Sequence, residues 1–229
     1  MKEFFTNYPF AKIGLLGIPM LVFMLVMENL FPKSSPEGFQ NFIIAFEFVR
    51  TPDRLHLLFK DFDNSILRKI DKGNYIDFGF MFTYSAFLFL FFRKAAKIFN
   101  HKWLLTGTVI SMIVLLSDFS ENLLLLKITK IYYPEIENEK LLPILSKLQL
   151  FTWIKWLGLA ICFAMYSRKL IGKRILLNID AVALILPFLF SFWALTGSSR
   201  GISKFTLSVT LAFALLIVYC FYFKNTKKG

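Results

Sequence analysis

Six stretches of the chain, at 13–31, 75–92, 104–126, 150–166, 177–197 and 205–223, are apolar and long enough to cross a bilayer as helices. A crossing takes about 20 residues rising about 1.5 Å each. The runs are continuous and do not alternate with period two, so they predict helices and not barrel strands. The expected fold is all-α: a single membrane domain spanning 1–229, built as a polytopic transmembrane helix bundle. Composition closes the alternatives. Hydrophobic residues make up 56% of the chain and charged residues 18%, too apolar for a soluble globule or a disordered chain. The first stretch is longer than a signal peptide's apolar core and no small-x-small cleavage site follows it, so it reads as a retained span. Asp180 and Pro187 make the fifth stretch the least regular, and Pro134 and Pro143 are expected in the connection after the third.

The net charge of +12 forms no single patch. Basic residues are scattered between apolar runs, which argues against nucleic acid as a partner. Their loop distribution sets an orientation instead. Arg93, Lys94, Lys97 and Lys102 share one short connection, and Arg168, Lys169, Lys173 and Arg174 share another. Lys224, Lys227 and Lys228 follow the last span, whereas Glu135, Glu137 and Glu139 dilute the third connection. Both termini are therefore expected in the cytoplasm, in a bacterial inner membrane, with the first, third and fifth connections outside. The lipid bilayer is the one partner that composition demands.

The long first connection carries a helix signal. Thr51-Pro52 is a good cap and first position. Leu55, Leu58, Phe59, Phe62, Ile66 and Ile70 then recur at helical spacing. One amphipathic helix over about 52–70 is expected, lying on the membrane surface or over the bundle, as packing element or lid. Asp61-x-Asp63-x-Ser65 lacks the glycine and distal glutamate of a calcium loop.

Ionisable residues inside spans are costly and mark functional sites. Glu28, Asp77, Asp118, Glu121 and Lys155 all fall within roughly 4–12 Å of the same membrane face at about 1.5 Å per residue. Ser111, Asp118 and Asn122 share a helical stripe beside Glu121. Asn74, Asp77 and Tyr84 make another, and Gln149, Thr152 and Lys155 a third. Trp153 and Trp156 flank Lys155 as interfacial anchors or pocket walls. Four carboxylates against one ammonium leave excess negative charge that a low-dielectric site does not hold. Protonation, a bound cation, or Arg50, Arg54 or Lys72 from the first connection would relieve it. The excess points to a cationic ligand, or to Mg²⁺ or Ca²⁺ on Asp77, Asp118 and Glu121.

Over residues 42–166, the order Asp77, Tyr84, Asp118-x-x-Glu121-Asn122 and Lys155, after Phe46-Glu47-Phe48-Val49-Arg50-Thr51-Pro52, resembles a family of small bacterial polytopic membrane proteins. They carry Asp, then Asp-x-x-Glu-Asn, then Lys. The resemblance implies that these positions matter; no activity comes with it.

Haem, nucleotide and zinc signatures are missing, His56 and His101 lie outside the spans, and Cys162 and Cys220 form no disulfide or zinc spacing. Three functions are compatible. The first is a membrane-embedded site for a small molecule, lipid headgroup or cation. There Asp118 and Glu121 carry charge or a proton, Asn122 and Tyr84 orient, and Lys155 balances. The second is a proton- or cation-coupled transporter, which so few spans would favour only as a homo-oligomer, and which lacks an inverted repeat. The third is a non-catalytic scaffold, for which Gly158, Ala160 and Ala164 offer a small-residue helix contact.

Overall fold

In the computed structural model, which describes residues 7–132, 138–172 and 175–224, the chain is helical, with no strand among the described residues. Among the described residues six helices are long and apolar enough to cross a membrane, which makes this an integral membrane protein. Pro134, Glu135, Glu137, Lys173, Arg174, Lys227 and Lys228, used above for span limits and orientation, lie outside the described residues.

The first span is a short α1 (Ala11–Gly14) followed by α2 (Gly17–Glu28). It ends three residues earlier than expected, and Asn29 Nδ2 turns back to donate to Leu25 O at 2.8 Å. Two short helices come next, α3 (Phe42–Glu47) and α4 (Pro52–Phe59). Each has an N-cap of the expected chemistry: Asn41 Oδ1 accepts from Ile44 N at 3.1 Å, and Thr51 Oγ1 accepts from Arg54 N at 3.4 Å.

The remaining spans are α5 (Asn64–Phe99), α6 (Leu105–Tyr132), α7 (Asn138–Ser167), α8 (Ile175–Leu195) and α9 (Ser199–Tyr222), with a 3₁₀ turn at Lys102–Leu104. Helices α5, α6 and α7 have 36, 28 and 30 residues. They are longer than a bilayer crossing requires, and α7 takes in Pro143, which the sequence had placed in a connection.

The single amphipathic helix expected over 52–70 is instead broken after Phe59. Phe62 N turns back to Phe59 O, and Asp63 Oδ1 accepts from Ile66 N at 2.9 Å to start α5. The break has a packing reason. It folds Leu55 and Phe59 of α4 and Leu67 and Ile70 of α5 into one core with Phe42, Phe46 and Val49. Leu125, Ile128, Leu141, Leu145 and Leu148, from the projecting ends of α6 and α7, complete that core. The segment therefore packs over one end of the bundle, the end called here the α3 side. Ser65 Oγ also donates to Asp63 Oδ1, at 2.8 Å, so the apparent calcium motif is a helix cap.

A second and larger core fills the rest of the bundle, with Phe87, Phe91, Phe163, Phe205 and Tyr166 among its fully buried rings. Helix α6 lies between α5 and α7, and α8 packs on α7 and α9. Gly158 is where α7 comes close to α6: a methyl group there would lie 2.6 Å from Val114 Cγ2. On the side away from α3, Tyr222 donates to Asp180, joining α9 to α8. Asp180, near the start of α8, is thus buried and partnered.

Candidate functional site

Helical periodicity brings the polar stripes of α5, α6 and α7 to one level on the α3 side. Asp77 of α5 accepts from Asn122 Nδ2 of α6 at 2.7 Å. About two turns further along α5, Tyr84 OH donates to Asp118 Oδ2. From α7, Lys155 Nζ reaches Glu121 Oε1 at 2.6 Å and Asp118 Oδ1 at 3.2 Å. Glu121 is 0% exposed, Asp118 2% and Lys155 5%, while Asp77 is half-buried. Six of the seven expected site residues thus converge: Asp77, Tyr84, Asp118, Glu121, Asn122 and Lys155.

Glu28 does not join them. It is exposed at the end of α2, 3.6 Å from Lys33. Its place in the charge count falls to Glu47, which sequence reasoning did not single out. Glu47 ends α3, 7% exposed, with Oε2 accepting from Trp156 Nε1 at 2.9 Å and lying 3.1 Å from Lys155 Nζ. Burial pushes its carboxyl above the usual carboxylate range, an effect that the nearby ammonium opposes and Asp118 reinforces. The signal that could have found it is a lone carboxylate inside the apolar run 42–49.

Helix α3 is held in place by its backbone. Gln149 Nε2 donates to Val49 O at 2.9 Å and Glu47 O at 3.3 Å, and Thr152 Oγ1 to Glu47 O at 3.2 Å. The Gln149–Thr152–Lys155 stripe therefore serves the plugging segment first and the acids second. Trp153 and Trp156 act as walls: Trp153 stacks on Phe205 with centroids 6.3 Å apart and meets Phe48 edge-on at 5.2 Å. Ser111 is buried but spends its hydroxyl on Thr108 O in its own helix. Arg50, Arg54 and Lys72 are exposed, and among the described residues none pairs with a cluster carboxylate.

Among the described residues three carboxylates thus surround one ammonium, Glu47 of α3 and Asp118 and Glu121 of α6 around Lys155 of α7, and a fourth, Asp77 of α5, is hydrogen-bonded to Asn122 beside them. Two polar groups beside them have no partner among the described residues: Glu121 Oε2 and the whole side-chain amide of Asn74, which is 0% exposed. Among the described residues no group of three His, Cys, Asp or Glu side chains has metal-binding geometry. Of the three carboxylates named above for Mg²⁺ or Ca²⁺, Asp118 and Glu121 lie within ion-pair distance of Lys155 Nζ, and Asp77 is hydrogen-bonded to Asn122. Such a cluster can hold and exchange protons, because its full set of charges is not sustainable in a low dielectric.

No known protein family, curated protein or solved structure matches the chain.

Proposed function

We propose that this integral membrane protein binds a small polar molecule or lipid headgroup at the cluster of Glu47, Asp77, Asp118, Glu121 and Lys155, and that the cluster carries exchangeable protons. The observation that supports this reading best is the charge mismatch: three buried carboxylates around one ammonium, with the half-buried Asp77 beside them. A cluster needed only to hold helices together would be balanced, and would leave no buried amide such as that of Asn74 unpaired. The reading takes both termini as cytoplasmic in a bacterial inner membrane, on the strength of Arg93, Lys94 and Lys97 in the last turns of α5 and Lys102 in the short turn after it. On that orientation the site faces the outer leaflet.

Thermal unfolding in detergent from about pH 5 to about pH 8 tests it. The double variant Asp118→Asn/Glu121→Gln keeps most hydrogen bonds and loses the titratable protons. It should fold, and should lose a pH response that the wild type has. Infrared spectra should show the carbonyl stretch of a protonated carboxylic acid in the wild type, weakened in the double variant. Identical pH responses and spectra would leave the acids purely structural.

That outcome would favour a second reading, a non-catalytic scaffold. It draws support from the way the cluster's hydrogen bonds tie α3, α5, α6 and α7 together, and from the Gly158–Val114 contact between α7 and α6.

A further inference from the structure

We propose that Asp77 and Asn74 form the entrance of this site and take a primary ammonium group with an oxygen acceptor two carbons away. An ethanolamine phosphodiester headgroup or a free amino alcohol has that chemistry, and it would arrive sideways from the bilayer between α2 and α5. The inference rests on the ligand-site reading above and names its ligand.

Asp77 differs from the other acids in two ways. It is half-buried where Glu47, Asp118 and Glu121 are buried, so the cluster opens there. It also has no cation at ion-pair distance among the described residues: Lys155 Nζ contacts Glu121, Glu47 and Asp118 at 2.6, 3.1 and 3.2 Å, and the hydrogen bond that Asp77 receives comes from the neutral Asn122 amide.

Asn74 supplies an independent observation. It lies three residues before Asp77, on the same face of α5. Both its Oδ1 and its Nδ2 are buried without a partner among the described residues. A buried amide in that state calls for a missing group that both donates and accepts. An ammonium gives one proton to Asp77 and another to Asn74 Oδ1, and the adjacent oxygen accepts from Asn74 Nδ2. A bare metal ion would leave Asn74 Nδ2 without an acceptor, and a quaternary amine has no N–H to donate to Oδ1.

The route follows from how α2 is packed. It has one buried residue, Met20, and its Leu21, Val22 and Leu25 are exposed on the bilayer side. It and the turn that follows meet α5 where two phenylalanine rings lie against glycines: a methyl on Gly79 would come within 2.6 Å of Cζ of Phe23 in α2, and one on Gly73 within 2.7 Å of Cζ of Phe31 just after α2. These two contacts bracket Asp77 along α5. Among the described residues no hydrogen bond or ion pair ties α2 to α5. Drawing the Phe23 and Phe31 rings away from Gly79 and Gly73 would widen that opening toward lipid.

The depth also fits a headgroup. Asp77 is about 24 Å along the helix from Arg93 and about 33 Å from Phe99, against a hydrocarbon core of about 30 Å. It therefore stands about one helical turn inside the opposite hydrocarbon boundary, within reach of a headgroup drawn down from the leaflet surface.

The full-length protein, reconstituted in phosphatidylcholine vesicles doped with phosphatidylethanolamine, provides the test, read by native mass spectrometry of bound lipid. The wild type should retain phosphatidylethanolamine over phosphatidylcholine at least about tenfold, and Asp77→Asn should abolish the preference. Asn74→Ala should reduce it, and unfolding curves would verify that the variant is folded; if it is not, the Asp77→Asn comparison decides alone. A second arm titrates free ethanolamine into protein in phosphatidylcholine alone. Stabilisation there, without lipid preference and lost in Asp77→Asn, identifies the free amino alcohol as the source. Equal retention of both lipids with no effect of ethanolamine overturns the inference. If the Asp118→Asn/Glu121→Gln variant still loses the wild-type pH response in that event, the proton-binding reading stands without this ligand. If it does not, both readings fail.

Discussion

Lys155 Nζ lies 2.6 Å from Glu121 Oε1, an ion pair in which neither side chain has appreciable contact with solvent. Such a pair adds little over a well-packed apolar pair, but losing one member strands the other. Lys155→Met should therefore destabilise the protein by about 3–5 kcal/mol, read as a lowered unfolding midpoint in detergent. Adding Glu121→Gln or Asp118→Asn to Lys155→Met should recover part of that loss. A double variant no more stable than the single would mean that the pair does not interact directly.

Glu47 gives a pH dependence of defined sign. Burial raises its carboxyl above the ordinary range despite Lys155, so the folded state holds this proton more tightly than the unfolded state does. The contribution is fully present below the unfolded value of about 4.3 and is lost as pH rises through the raised folded value. Glu47→Gln should flatten the fall in unfolding midpoint on the alkaline side. An unchanged slope in that variant would show that Glu47 does not titrate with folding.

Asp63 has the opposite sign. It is a surface cap whose carboxylate is held below the usual range by the Ile66 amide, and next by the Ser65 hydroxyl. Its contribution is present above the ordinary carboxylate range and is lost as pH falls through the lowered folded value. Asp63→Ala should speed amide hydrogen exchange at Ile66 and leave the middle of α5 protected, while Asp63→Ser should retain most of the protection. Uniform exchange changes along α5 would contradict a local role.

Gly158 tests the α6–α7 contact. Any Cβ there meets Val114 Cγ2 at 2.6 Å, and a short branched side chain has little room to give way. Gly158→Val should cost about 1–3 kcal/mol by overpacking, and Gly158→Val with Val114→Ala should restore part of it. An unfolding midpoint unaffected by Gly158→Val would mean that the two helices can separate freely there.

What the sequence determined by itself was the solvent. Runs such as 104–126 and 205–223 have no stable place except lipid, and lipid admits helices because every backbone group is then satisfied within its own segment. Periodicity also put Asp77 with Tyr84, and Asp118 with Asn122, on single faces, since that geometry is local. Tertiary structure decided what those faces meet. That Glu47 and not Glu28 completes the cluster depends on α3 folding back onto Gln149 and Thr152, about 100 residues away in sequence, and no local period encodes such a return. The break after Phe59 has the same origin. A continuous helix satisfies the local pattern from Leu55 to Ile70, but burying Phe59 and Leu67 in one core with Phe42 and Leu145 requires the chain to turn. Lys155 shows the same division: its place on α7 is legible from spacing, whereas its choice of Glu121, Glu47 and Asp118 over Asp77 is set by how the helices rotate against one another.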